Sequence, residues 1–332
     1  MLRVGAALAA APLLPAPRAA RAADPIVLRF SHVVAPNTPK GRAAEQFRVL
    51  AEQRTQGRVR VEVHPNSELY SDRDELEALQ LGAVHMLAPS TAKFAPLGLN
   101  EFEVFDLPYI FADYEALRRV TRGEVGQRLL RRLQGKGIVG LGFWDNGFKQ
   151  MSANKPLRAP LDYAGLAMRV QPSEVIKAQM RALGARPRVM AFSEAVPALR
   201  AGAVDGTENP ASNFLTQHFD TVQSHLTVTD HGWLGYALIV NARFWNGLPR
   251  DIRAALDSAA ADATRYANEI AKQVNDEALA EIERAGRTRV LRLSAAERTA
   301  MQQALWPVHQ QMRARVGGEL IEAIYRETGQ RG

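Results

Sequence analysis

The stretch MRVQPSEVIKAQMRALGARPRVMAFSEAVPALRAGAVDGTENPASNF, residues 168–214, decides how this chain is read. Met168, Arg169 and Val170 read as a short strand that ends in a turn at Pro172. A helical run follows, with Val175, Met180 and Leu183 apolar among polar positions and Gly184 closing it. Ser193 has the chemistry of an N-cap and opens a second helix that Gly202 ends. The segment then runs through Val204-Asp205-Gly206 into Glu208-Asn209-Pro210. Arg169 lies between apolar neighbours on a strand, where a guanidinium is costly unless an anion pairs with it. Its planar fork of donors matches a carboxylate in two-pronged fashion. A structural salt bridge or an exposed strand edge would account for it equally well.

The chain has 332 residues, room for two domains of ordinary size. Its composition, 46% hydrophobic and 23% charged, is that of a soluble globular protein. There is no cysteine, which excludes thiolate metal sites, cysteine nucleophiles and disulfides. Residues 1–23 carry Arg3, an apolar run rich in Ala and Leu, and the A-x-A pattern Ala20-Arg21-Ala22. They read as a signal peptide, with export to a periplasm and a mature chain beginning near Ala23. The basic end is thin, and Pro15, Pro17 and Arg18 crowd the apolar run, as in a start that has been shortened. The formal charge of +7 falls to +4 once Arg3, Arg18 and Arg21 are removed. The remaining basic residues are mixed with acids and form no stripe with interleaved aromatics, which argues against nucleic acid. A mildly positive surface suits the capture of anionic solutes.

Taken in order, residues 26–31 read as a buried strand, 40–53 as a helix with Ala44, Phe47 and Leu50 on one face, and 59–63 as an alternating strand. This is the usual entry to an α/β domain. Ser71 or Asp72 can cap a helix running to Leu81. A strand at 84–88 leads to Ser90 and Thr91, small polar residues just past a strand end, where ligands of open α/β sheets gather. Residues 102–111 look like a packed apolar connection, and 114–133 like one arginine-rich helix. A strand at 138–143 delivers Trp144 and the turn dipeptide Asn146-Gly147, where the chain is expected to cross between domains. By itself Lys149 reads as a surface lysine. From 252 to 285 the pattern is helical, with Leu256, Ala260, Ala263, Ala267, Ile270, Val274 and Ile282 on one stripe. One helix of that length spans on the order of 50 Å; two helices broken near Asn275 would be the alternative. Helices in 294–328 are expected to pack on the second domain.

Catalytic signatures are missing from the sequence: no G-x-S-x-G elbow, no phosphate loop, no H-E-x-x-H zinc helix. The seven histidines show no metal-ligand spacing. The expectation is a binding protein, not an enzyme, with no cofactor.

Several stretches in one order carry a resemblance: WDNGFKQ at 144–150, MRV at 168–170, MAFSE at 190–194, VDGTENP at 204–210, HGWLGY at 231–236 and FWNGLP at 244–249. Together they resemble the extracytoplasmic solute-binding proteins of tripartite ATP-independent periplasmic (TRAP) transporters, and most of all the C4-dicarboxylate-binding group. The similarity covers nearly the whole chain after residue 24. It implies a two-lobed α/β fold with a cleft between the lobes and one long helix spanning both. The expected division is 24–146 plus 235–274 for lobe I and 147–234 plus 275–332 for lobe II. It also implies that Arg169 pairs with a ligand carboxylate, that Lys149 adds charge, and that Asn209 contributes amide donors. Phe192 would be an apolar wall. Lobe I would complete the site through His32, Lys40, Asp72, Ser90 and Thr91, with Lys40 or Lys93 as a second anion-pairing group. The implied ligand is succinate, malate or fumarate, and the implied partners are the membrane permease subunits of the transporter, with the binding protein itself a monomer. Other carboxylates on the same fold (2-oxo, hydroxy, sugar or aromatic acids) and ligand sensing for a membrane kinase are the rival readings.

Overall fold

The computed structural model describes residues 24–329; the expected signal peptide at 1–23 lies outside them. The strands are β1 (Ile26–Ser31), β2 (Val59–His64), β3 (Met86–Leu87), β4 (Ile138–Phe148), β5 (Gln150–Ala153), β6 (Ala167–Val170), β7 (Arg186–Val189), β8 (Gly206–Asn209), β9 (His225–Val228), β10 (Trp233–Asn241) and β11 (Arg289–Arg292). They form two mixed sheets. One has the order β2-β1-β3-β10-β4 and the other β11-β9-β5-β8-β6-β7. Each sheet is the centre of one lobe.

The expected β-α-β entry is present. Alternating VRVEVH pairs in parallel with IVLRFS, and helix Pro39–Arg54 between them buries Ala44 and Phe47. That helix is capped by Thr38, whose hydroxyl accepts from the Gly41 amide at 3.1 Å. The chain crosses between sheets at Lys149, between β4 and β5, and returns between β9 and β10. The third link is helix Arg250–Ala285, 36 residues without a break and so about 54 Å long. Its first half buries Leu256, Ala260, Ala263 and Ala267 against Phe30, Phe47 and Trp144 of the first sheet. Its second half buries Ala278 and Ile282 beside Phe214, Phe219 and Leu226 of the second lobe. The alanine stripe permits this close approach on both.

Four local readings are corrected by packing. Residues 114–133 form two helices, Tyr114–Arg122 and Glu124–Arg132, because Gly123 is extended at φ −76°, ψ −168°. Asn146-Gly147 is not a turn: both lie within β4. The register pairs Asp145 with Gly235 and Gly147 with Leu234, so Asn146 is the extra residue of a bulge. Gly147 adopts φ +140°, and a Cβ there would meet the Asn275 amide nitrogen at 2.5 Å. Ser193 does not cap a helix; it is exposed within the 3-10 turn Phe192–Glu194, and the Glu194 carboxylate accepts from the Ala191 amide at 2.9 Å instead. Neither Ser71 nor Asp72 caps helix Glu75–Leu81: the side chain at the Asp74 cap position bonds no helix amide and accepts from the Ser71 hydroxyl at 2.7 Å, and the Asp72 carboxylate points elsewhere. The last helices also divide. Ala295–Leu305 packs Met301 and Leu305 beside Met151 and Met168 of the second sheet. Pro307–Val316 and Gly318–Thr328 instead bury Val316, Leu320 and Ile324 against Leu117, Val120 and Leu129 of the first lobe. Apolar periodicity marks a buried face but does not name its partner.

Two asparagines fasten the long helix to β4. Asn268 accepts from the Asp145 amide at 2.7 Å and donates to the Phe143 carbonyl at 3.0 Å. Two turns on, Asn275 donates to the Asn146 carbonyl at 2.5 Å and accepts from the Ser212 amide at 3.0 Å. Asn268 is buried, so truncation strands two backbone groups away from water. Asn268→Ala is expected to lower unfolding stability by about 1–3 kcal/mol. A change under about 0.5 kcal/mol in urea titrations, the range of an ordinary surface substitution, would show that this helix is held by packing alone.

Candidate functional site

All four residues of β6 are buried, and Arg169 is 2% exposed. Its strand lies between β8 and β7, in register with Thr207 and Arg188. The guanidinium cannot shed its proton under ordinary conditions, so burial must be offset. Nε and Nη2 donate to the Met190 carbonyl at 3.1 and 2.8 Å. The guanidinium carbon stands 5.6 Å from the centre of the Phe192 ring, a cation–π contact. Burial still pulls its pKa down, against the charges of Asp72, Glu208 and Glu194.

The first lobe faces this arginine with its own charged cluster. Lys93 donates to Asp72 and, at 2.7 Å, to Glu75. Asp72 also accepts from the backbone amide of Phe192, across the cleft. Burial alone would raise the Asp72 pKa, but the Lys93 and Arg169 charges win and hold it at about 2. The same two carboxylates lift Lys93 despite its burial. Lys40 donates to the Ala88 carbonyl at 3.1 Å and sits 3.8 Å from the centre of the Tyr236 ring. Burial, reinforced by Lys93, brings its pKa down to about 7. Beside it His32 is held neutral, at about 3, by burial and then by Lys40. Lys93, Arg169 and Lys40, whose charge burial weakens, thus gather around two carboxylates, Asp72 and Glu75.

The space between the lobes here is lined by Val33, Val34, Asp72, Ser90, Lys93, Gln171, Phe192, Asn209, Asn213, Leu234 and Tyr236. Ser90 bridges it, its hydroxyl donating to the Gln171 side-chain oxygen at 2.7 Å. Of the residues expected at the site, Asp72, Ser90, Phe192 and Asn209 line this space, and Arg169 adjoins it through Phe192. His32, Lys40 and Thr91 are buried but are not on its surface. Sequence reasoning missed Gln171 and Tyr236. Gln171 follows Arg169 by two residues, so the strand alternation places them on the same side. Tyr236 lies in the quoted HGWLGY stretch.

Lys149 is placed differently. It is buried in an ion pair with Glu208 at 2.8 Å and does not reach the space between the lobes. His231 Nε2 is 2.8 Å from the second Glu208 oxygen, and its Nδ1 is 2.7 Å from the Thr229 hydroxyl. This geometry fits an imidazole that donates to Glu208 and accepts from Thr229. Glu208, on β8, therefore holds both crossing segments, one at Lys149 and one at His231. The register of β5 on β8, with Gln150 opposite Asn209 and Met151 opposite Glu208, brings these distant residues together. Burial would raise the Glu208 pKa, but Lys149 and His231 hold it at about 2, below the usual 4.5. A depressed folded-state pKa means stability that is fully present above about pH 4.5 and lost as pH falls toward 2. Glu208→Gln leaves Lys149 buried without a counter-charge and is expected to cost about 3–5 kcal/mol at pH 7. The gap from the parent protein should narrow between pH 7 and pH 3; a gap independent of pH in denaturant titrations would contradict the ionised pair.

Residues 30–315 match the family described as bacterial extracellular solute-binding protein, family 7 (DctP). The chain is 59% identical over 308 residues to the C4-dicarboxylate-binding periplasmic protein DctP of Rhodobacter capsulatus, covering 93% of this chain and 92% of that one. Among solved structures, the TRAP periplasmic solute-binding protein of Shewanella oneidensis with bound succinate superposes with a TM-score of 0.89 at 42% identity, over 92% of this chain and 99% of that one. The corresponding protein of Pseudomonas aeruginosa with bound L-malate gives 0.84 at 43% identity, over 86% and 100%. With a match running through both sheets and the cleft between them, the chain belongs to the DctP family of bacterial extracellular solute-binding proteins.

Proposed function

We propose that this chain is the periplasmic solute-binding subunit of a TRAP transporter and captures a C4-dicarboxylate in the cleft between its lobes. The observation that carries the reading is Arg169: a fully buried guanidinium on the second lobe, held by one backbone carbonyl and faced across the cleft by the first-lobe cluster of Lys93, Asp72 and Glu75. Such a site favours a small anion with charge at both ends. One carboxylate pairs with Arg169 and the amide of Asn209. The other meets Lys93 from the first lobe, with Lys40 behind it. Phe192 and Leu234 would cover the short carbon chain. The names and bound ligands of the relatives, succinate and L-malate among them, support this size and charge.

Binding of the acid would draw the lobes together about the segments at Lys149 and His231, exclude water and strengthen each charged hydrogen bond. The closed form then offers the membrane permease a surface composed of both lobes. The protein acts as a monomer, without catalysis and without a cofactor. In a thermal-shift screen of the mature protein, succinate, L-malate and fumarate are expected to raise the melting temperature in a concentration-dependent way. Shifts with monocarboxylates or sugar acids alone would overturn the ligand class while keeping the transport role.

A further inference from the structure

Asp72 has an unusual position for an acid in a site built for anions. It precedes the first-lobe helix Glu75–Leu81, yet its carboxylate is spent on the cleft: one oxygen accepts from Lys93, the other from the Phe192 amide of the opposite lobe. Arg169 is near enough to act on it by charge. The next residue reinforces the bridge at the rim, where Arg73 donates to both Glu194 oxygens at 3.1 and 2.8 Å. Asp72 also lines the space between the lobes directly. A backbone amide, an ammonium and a nearby guanidinium are the partners that an organic acid would seek there.

We propose that Asp72 is a built-in competitor of the bound acid: its carboxylate takes the Phe192 amide and Lys93 for itself, closes the lobes on one another, and must give way before a dicarboxylate is fully paired. This rests on the dicarboxylate reading of the cleft. An intramolecular competitor lowers the apparent affinity by the fraction of molecules in which it is engaged. It also repels a dianion that enters while it is still in place. Asp72 therefore sets the affinity of the site from the opposite direction to Arg169. It keeps the cleft from holding its cargo too tightly for release.

The test uses the mature protein carrying Asp72→Asn, which preserves the side-chain shape and an acceptor for the Phe192 amide while removing the charge; Asp72→Ser serves as a second charge-removing variant should the first not fold. Association rates and affinities are measured for succinate and for L-malate by stopped-flow fluorescence and calorimetry. Small-angle scattering is recorded without ligand. The expected result is a rise of at least about threefold in association rate and affinity for both acids alike, with a larger radius of gyration for the ligand-free variant. Weaker binding of both acids would overturn the proposal, since Asp72 would then help to hold the ligand. Loss confined to L-malate would overturn it too, by making Asp72 the acceptor of the malate hydroxyl, and so would unchanged binding. Parent protein that binds neither acid would instead contradict the dicarboxylate reading, a result separate from any effect of the variants.

Discussion

The structure depends on keeping a permanently charged guanidinium in a buried place. Removing an ion from water costs several kcal/mol even after relaxation, and Arg169 cannot escape by losing its proton. The second lobe meets this partly, with the Met190 carbonyl and the face of Phe192. The opposing charge of Asp72 comes from the first lobe. Satisfying Arg169 in full thus requires an anion at the boundary between lobes, from the protein or from a ligand. That requirement couples an electrostatic need inside one lobe to the distance between two.

For such coupling the connections must be firm in themselves while allowing the lobes to rotate. Three segments connect them, and each is anchored by buried polar groups. Glu208 holds the outgoing segment through Lys149 and the returning one through His231. Asn268 and Asn275 attach the long helix to β4, at the bulge where that strand approaches the crossing. Paired polar groups are directional, so they fix where the crossing segments bend more tightly than apolar contacts would. The alanine stripe of the long helix supplies the close packing around them.

The parts of this arrangement governed by local pattern were readable from the sequence. The alternation at 59–63, the helix at 40–53 with Ala44 and Phe47 on one face and the long apolar stripe from Leu256 to Ile282 each depend on residues close in the chain, and the structure contains all three elements. The resemblance of MRV and the stretches around it pointed to Arg169 in a cleft between two lobes. What local pattern could not give was pairing. Lys149 resembled a surface or ligand-binding lysine because Glu208 reaches it only through the antiparallel register of β5 on β8. The Asn146-Gly147 turn signal was overridden by pairing with β10. Ser193 lost the capping role to Glu194 because burial of Phe192 and Ala195 turned it toward solvent. Asp72 had helix-cap chemistry nearby, but the Lys93 ammonium and the Phe192 amide, both distant in sequence, offered it stronger partners.

The central claim is that Arg169 binds the acid through its forked geometry as well as its charge. Calorimetry of Arg169→Lys with succinate tests it most directly, since the charge stays while the fork and the bond pattern to Met190 change. The account predicts a folded protein whose affinity falls by at least about two orders of magnitude, equivalent to roughly 3 kcal/mol. Affinity close to that of the parent protein would contradict it and would make Arg169 a structural residue of the second lobe.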